Sequence, residues 1–249
     1  MSAVEKNWQA TLARVRDAAH AAGRDANGVH VLAVSKTFPL DAVLEAADAG
    51  ATAFGENYVQ EGVAKILALR ALAAREGSHD RPQSPRYQSL SWHFIGPLQS
   101  NKTREVAEHF DWVHSIDRLK IAQRLSAQRP PELAPLNVCV QVNVSDEASK
   151  SGVTPSEAVD LAHAVAALPR LRLRGLMAIP EPQPDVARQR QAFAVLRALY
   201  EHCRSQGLAL DTLSMGMSAD LEAAIAEGAT IVRVGTAIFG TRTPKTALA

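Results

Sequence analysis

Strand-like stretches near residues 30–36, 52–55, 91–95, 111–115, 136–144, 171–178, 211–214 and 230–235 alternate with amphipathic helical patterns, and this alternation limits the fold more than any other feature of the chain. Leu40, Val43, Leu44 and Ala47 recur at i, i+3, i+4 and i+7, and Leu221, Ala224 and Ile225 repeat the rhythm late in the sequence. Gly50 and Gly228 stand where a helix-terminating glycine belongs, and each is followed by Ala-Thr and a strand. Strands separated by helices pair in parallel through right-handed crossovers. Eight such units within 249 residues predict one α/β domain over 1–249, closed as a (β/α)8 TIM-type barrel. An extra leading helix, about residues 3–22, is expected to cover the barrel bottom. An open doubly wound sheet is the alternative, but the turn after the first strand, Lys36-Thr37-Phe38-Pro39, lacks the glycine-rich phosphate loop such sheets use.

In the fifth strand Val138, Val140, Val142 and Val144 alternate with Cys139, Gln141 and Asn143. The valines should face the helices and the other set the barrel interior, with Asn143 near the mouth. Residues 76–90 are polar and Pro-bearing without periodicity and read as a surface insertion.

Charge and cysteine usage exclude several function classes. Twenty-seven Lys+Arg against 26 Asp+Glu give a net charge of +1 with no basic run, so no nucleic-acid partner is expected. The only cysteines, Cys139 and Cys203, have no CxxC or Cys/His spacing, which leaves no zinc site or disulfide framework and points to the cytoplasm. The first residues lack a signal-peptide pattern, and no run of about 18 apolar residues exists to span a membrane.

Barrel enzymes carry function at the C-terminal ends of their strands. There, Lys36 closes the run Val31-Leu32-Ala33-Val34-Ser35, where partial desolvation lowers a lysine pKa and frees its amine to form a Schiff base with an aldehyde. A strand-end lysine that snorkels to solvent is the plain alternative. Arg233, within Ile231-Val232-Arg233-Val234, needs a hydrogen-bonding partner if it faces inward. Gly235-Thr236 follows at once, and Ser218 is positioned to cap the next-to-last helix, so the loops after strands seven and eight could cradle a phosphate. Lysine for an aldehyde, arginine for a pyridine nitrogen and Ser218, Gly235 and Thr236 for a phosphate describe a pyridoxal 5′-phosphate site.

The segments Ala33-Val34-Ser35-Lys36, Phe54-Gly55-Glu56-Asn57-Tyr58-Val59-Gln60-Glu61, Trp92-His93-Phe94-Ile95-Gly96, Leu213-Ser214-Met215-Gly216-Met217-Ser218 and Val232-Arg233-Val234-Gly235-Thr236 together resemble the YggS/PROSC family of pyridoxal phosphate homeostasis proteins. The resemblance implies a barrel related to the N-terminal domain of alanine racemase and a cofactor carried on Lys36. Likeness to the racemase adds Arg233-Val234-Gly235 and, fifteen residues upstream of Arg233, Ser218 as the phosphate serine.

Further candidates are His93, which could stack over the cofactor ring or serve as an interior hydrogen-bonded histidine, and Asn57, which could donate to the phenolate oxygen or cap a helix. Met177, at the end of strand six, could fill the core or touch the ligand, and Ser214 ends strand seven. Lys150 could form a second, transient imine. The expected function is a monomeric carrier that buffers free pyridoxal phosphate and hands it to apo-enzymes, without robust catalysis. The alternative is a small racemase or lyase, and a phosphosugar aldolase lacks an acid/base constellation here. Resemblance to the racemase argues for the carrier, because that family's second base is a tyrosine from a further domain. This chain ends soon after Phe239-Gly240, and none of Tyr58, Tyr87 and Tyr200 lies at a strand end.

Overall fold

The computed structural model describes residues 1–75, 87, 89–145 and 151–241. Eight parallel strands, β1 (His30–Val34), β2 (Ala53–Glu56), β3 (Ser91–Phe94), β4 (Trp112–Ile116), β5 (Leu136–Gln141), β6 (Leu171–Met177), β7 (Thr212–Met217) and β8 (Ile231–Val234), pair in chain order and close through β1 and β8. Around them run α1 (Ala3–Ala21), α2 (Leu40–Asp48), α3 (Val59–Arg75), α4 (Thr103–His109), α5 (Leu119–Gln128), α6 (Pro155–Ala166), α7 (Val186–Ser205), α8 (Leu221–Ala226) and α9 (Thr236–Phe239). This is the (β/α)8 barrel that the alternation of the sequence predicts. Among the described residues no helix is long and apolar enough to cross a membrane.

Two apolar layers hold the barrel. The larger lies between strands and helices and takes Phe54, Val113, Val138, Val140 and Val142 from the outward faces of the strands. Each such buried side chain contributes roughly 1.5–3 kcal/mol. Within the barrel a small plug of Leu32, Val34, Ile95 and Ile231 remains, joined by Cys139, Met177 and buried polar residues. Strand five therefore divides as its alternation predicts, its valines against the helices and Cys139 outside that layer.

The leading helix differs from its expected place. α1 packs on the barrel flank against α2, α8 and α9, burying Trp8, Val15 and Ala19, and does not serve as a cover for the bottom. Its polar residues reach the loop after β7 and the helix after β8: Arg14 Nη1 donates to the Ser218 carbonyl at 2.8 Å and Asn7 Nδ2 to the Ile238 carbonyl at 3.0 Å. The barrel bottom is closed instead by side chains, with the Arg174 guanidinium 4.7 Å above the Trp112 ring, which in turn stacks on His93.

β7 also departs from the sequence reading. It runs three residues beyond 214, to Met217, through a register shift against β8 between Ser214 and Met217 and with Gly216 at φ +91°. A glycine in the left-handed region inside a bulge looks like a loop in one dimension, while pairing with β8 keeps it in the sheet. Of the 76–90 insertion, residues 76–86 and 88 lie outside the described residues, as does Lys150.

Candidate functional site

At the C-terminal ends of the strands lies a cavity of about 270 Å³. Lys36, Asn57, Ser218, Arg233, Gly235 and Thr236 supply its polar lining, and Val34, Phe38, Ile95, Ile179 and Met217 its main apolar walls. The volume falls just under the roughly 300–1,000 Å³ of drug-sized pockets, so it suits a compact ligand.

Lys36 reaches this cavity from a turn rather than from the strand, because β1 ends at Val34. Phe38 N donates to the Ser35 carbonyl at 3.1 Å and closes the turn, and Thr37 sits at φ +69°. A β-branched residue in that region is strained, and such strain persists only where neighbours enforce it.

Arg233 forms the cavity floor. Its Nη1 donates to the Ser214 carbonyl at 2.6 Å and to Ser214 Oγ at 2.8 Å, and its Nη2 to the Ala178 carbonyl at 2.8 Å. One Nη2–H and the Nε–H are unclaimed by described residues. Burial lowers its pKa to about 10, with Asp220 opposing the shift, so it remains a cation at neutral pH.

Below Arg233 a hydrogen-bonded file crosses the interior. Ser214 Oγ lies 2.7 Å from His114 Nδ1, His114 Nε2 lies 2.9 Å from His93 Nδ1, and His93 Nε2 lies 3.0 Å from Ser91 Oγ. A guanidinium only donates, so the Ser214 oxygen accepts from Arg233. Along the rest of the file the tautomers of His114 and His93 set the direction of each bond. Burial holds both imidazoles neutral: the His93 pKa falls to about 3, and that of His114 falls well below its usual value through burial and then the nearby His93 and Arg233.

This file relocates two candidates, and burial a third. His93 is the interior hydrogen-bonded histidine of the two readings, stacked on Trp112 at 5.1 Å, and does not line the cavity. Ser214 lies mid-strand beneath Arg233, and Met177 is fully buried; neither lines the cavity. Side-chain depth in the barrel separates them from the mouth, and Ile179 and Met217 take the wall positions instead. Ser218 is not the helix cap that its position suggested, since Asp220 precedes α8 and accepts from Met217 N at 2.5 Å. Asn57 is not a cap either: α3 begins at Val59, and Asn57 Oδ1 is buried with no hydrogen-bond partner.

An orphaned amide oxygen on the wall, two spare guanidinium N–H groups at the floor, and Ser218 and Thr236 hydroxyls that no described residue engages form a donor and acceptor set that fits a phosphorylated pyridine aldehyde. Gly235 brings the backbone close, since a Cβ there would stand 3.2 Å from the Val34 carbonyl.

The model of the alanine racemase N-terminal domain family matches residues 5–243. The pyridoxal phosphate homeostasis protein of Pseudomonas aeruginosa is 59% identical over 242 residues, covering 97% of both chains. The chain belongs to this family. Another member, the pyridoxal phosphate homeostasis protein of Escherichia coli K12, is 56% identical, with 93% of this chain and 95% of that one covered. Among solved structures the family includes PipY of Synechococcus elongatus PCC7942 with PLP bound, which superposes with a TM-score of 0.73 at 37% identity, covering 86% of this chain and 93% of PipY.

Residues that the sequence reading left without a role stand behind the site. Arg14 holds the Ser218 carbonyl, and Glu56, Glu61 and Lys65 surround the Lys36 turn. The one local signal was the i, i+4 spacing of Glu61 and Lys65 on α3.

Proposed function

We propose that the chain binds pyridoxal 5′-phosphate in the mouth cavity and serves as an intracellular reserve of the cofactor. The observation that carries this reading is the convergence of Lys36, Arg233, Ser218, Gly235 and Thr236 on one compact cavity. When bound, the cofactor supplies an aldehyde that joins a lysine amine reversibly through a carbon–nitrogen double bond, with loss of one water. Lys36 provides that amine. Arg233 donates to the ring nitrogen without giving up its proton, which leaves the ring a weaker electron sink than a carboxylate partner would. Ser218 and Thr236 hydroxyls and the Gly235 backbone receive the phosphate, Asn57 faces the ring substituents, and Val34, Ile95 and Met217 exclude water from its faces.

Holding without turnover is supported by the lining itself. Lys36 and Arg233 are its ionisable residues among those described, and a guanidinium does not act as a base. A second proton-transfer group of the kind a racemase needs is not among the described lining residues. Release to apo-enzymes, a cytoplasmic setting and a monomeric state belong to the same proposal.

Borohydride reduction of the pyridoxal phosphate-loaded protein, followed by peptide mapping, should fix the cofactor on Lys36, and Lys36→Ala should abolish the visible absorption band. An adduct on another lysine overturns the site. NMR in heavy water with a panel of amino acids separates the reserve from a small racemase or lyase: exchange of the α-proton at turnover rates, dependent on Lys36, would establish the enzyme.

A further inference from the structure

A buried charge cluster lies directly behind the Lys36 turn, between β2 and α3. Glu56, fully buried on β2, accepts from Ser35 Oγ at 2.6 Å and from Lys65 Nζ at 2.7 Å through the same oxygen, Oε1. Lys65, 7% exposed on α3, also donates to the Ser35 carbonyl at 2.8 Å and to Glu61 Oε1 at 2.7 Å. Glu61 Oε1 in turn accepts from Thr37 N at 2.5 Å. Both neighbours of Lys36 are thus gripped: Ser35 at its hydroxyl and carbonyl, Thr37 at its amide.

Such a cluster is a costly way to gain stability. Desolvating the Lys65 ammonium and the Glu56 carboxylate consumes most of their mutual attraction, Glu61 staying 29% exposed, and apolar residues of similar size commonly serve a core as well or better. Two details show what it does instead. Its bonds converge on one four-residue turn, and that turn holds Thr37 at φ +69°, where glycine or asparagine is favoured. Without external restraint a threonine there would relax to negative φ and re-aim the residue before it.

We propose that Lys65, clamped between Glu56 and Glu61, is a positioning residue that holds the strained Ser35–Phe38 turn and thereby aims Lys36 into the cavity. Lys65 itself takes no ligand, because its ammonium is committed to Ser35, Glu56 and Glu61. The consequence for cofactor affinity rests on the proposed site, whereas the consequence for the turn does not.

The test has two arms. In the first, hydrogen–deuterium exchange is measured on the ligand-free chain for wild type, Glu61→Ala and the double variant Glu56→Gln/Lys65→Met, which leaves no charge buried alone. Exchange at the Thr37 and Phe38 amides should accelerate by about tenfold or more, the loss of one charge-assisted hydrogen bond, while β1 amides stay unchanged. Unchanged exchange at the turn in both variants overturns the proposal. In the second arm the same proteins are titrated with pyridoxal 5′-phosphate. The variants should bind about tenfold more weakly, and Thr37→Asn added to Glu61→Ala should restore binding, because asparagine tolerates the left-handed conformation unaided. Wild-type affinity in both variants, or a loss that Thr37→Asn fails to rescue, overturns it. If wild type forms no adduct at all, the cofactor reading fails and the exchange arm alone decides the role of Lys65.

Discussion

Arg233 and Ser214 meet across the cavity floor, with Arg233 Nη1 donating both to the Ser214 hydroxyl and to its carbonyl oxygen. This double contact ties the guanidinium to β7 as well as to its own strand β8, and through Ser214 to the His114–His93 file beneath. The position of the cation is therefore tied to three points of the barrel interior, the Ser214 hydroxyl and carbonyl and the Ala178 carbonyl.

Replacing Arg233 removes that organisation. Arg233→Leu takes its donor from the buried Ala178 carbonyl, at about 1–3 kcal/mol, and leaves the Ser214 carbonyl with only the Ala178 N–H. Thermal unfolding should register this loss, and a pyridoxal 5′-phosphate titration followed in the visible band should show affinity lowered more than about tenfold. An unaltered affinity in a folded Arg233→Leu protein would exclude the guanidinium from the site.

The phosphate cradle predicts a difference between two ligands. Ser218→Ala removes one hydroxyl from the cavity wall and should weaken pyridoxal 5′-phosphate by about tenfold while leaving pyridoxal, which lacks the phosphate, unaffected. Equal weakening of both ligands would place Ser218 against another part of the molecule.

Gly96 is a steric lock on Asn57. A Cβ at Gly96 would lie 2.3 Å from the Asn57 carbonyl oxygen, and backbone cannot swing away as a side chain can. Gly96→Ala should cost about 1–3 kcal/mol in urea unfolding and shift the cavity wall, with weaker ligand binding. Gly28→Ala, where a Cβ meets nothing within 4 Å, is the control and should be near neutral.

The buried histidines predict an acid-sensitive stability. His93 has a folded pKa of about 3 against an ordinary value of 6.5. Its stabilising contribution is complete above pH 6.5. As pH falls from there toward 3, the unfolded chain takes up a proton that the folded chain refuses, and stability drops by about 1.4 kcal/mol per pH unit for each such histidine. His114 shifts in the same direction. Urea unfolding at pH 7, 6 and 5 should show this slope, and His93→Gln should flatten it. A variant with the wild-type slope would mean that His93 does not carry the effect.

Much of this molecule is local in origin. Strand five was legible because alternation at i, i+2 is written in consecutive residues, and Val138, Val140 and Val142 went where that pattern directed them. Lys36, Asn57, Ser218, Arg233, Gly235 and Thr236, picked out by position and in part by resemblance, line one cavity because a barrel brings the C-terminal ends of its strands to one mouth and strand ends are visible in the sequence. The helix-cap readings of Ser218 and Asn57 failed because a cap depends on where the first helical turn closes, which shifts with the bulge in β7 and the bend before α3.

The sequence by itself determined the eight-fold alternation, the barrel, and the lysine and arginine at its mouth, since each follows from periodicity and element order. Depth was decided only in three dimensions. Whether Ser214, His93 and Met177 stand at the cavity or beneath it depends on strand stagger and on the register shift that carries β7 three residues further, relations between strands distant in sequence. The flank position of α1 and the grip of Glu56, Glu61 and Lys65 on the Lys36 turn likewise exist only once β1, β2 and α3 pack together, because buried charges are placed by their partners and not by a repeat.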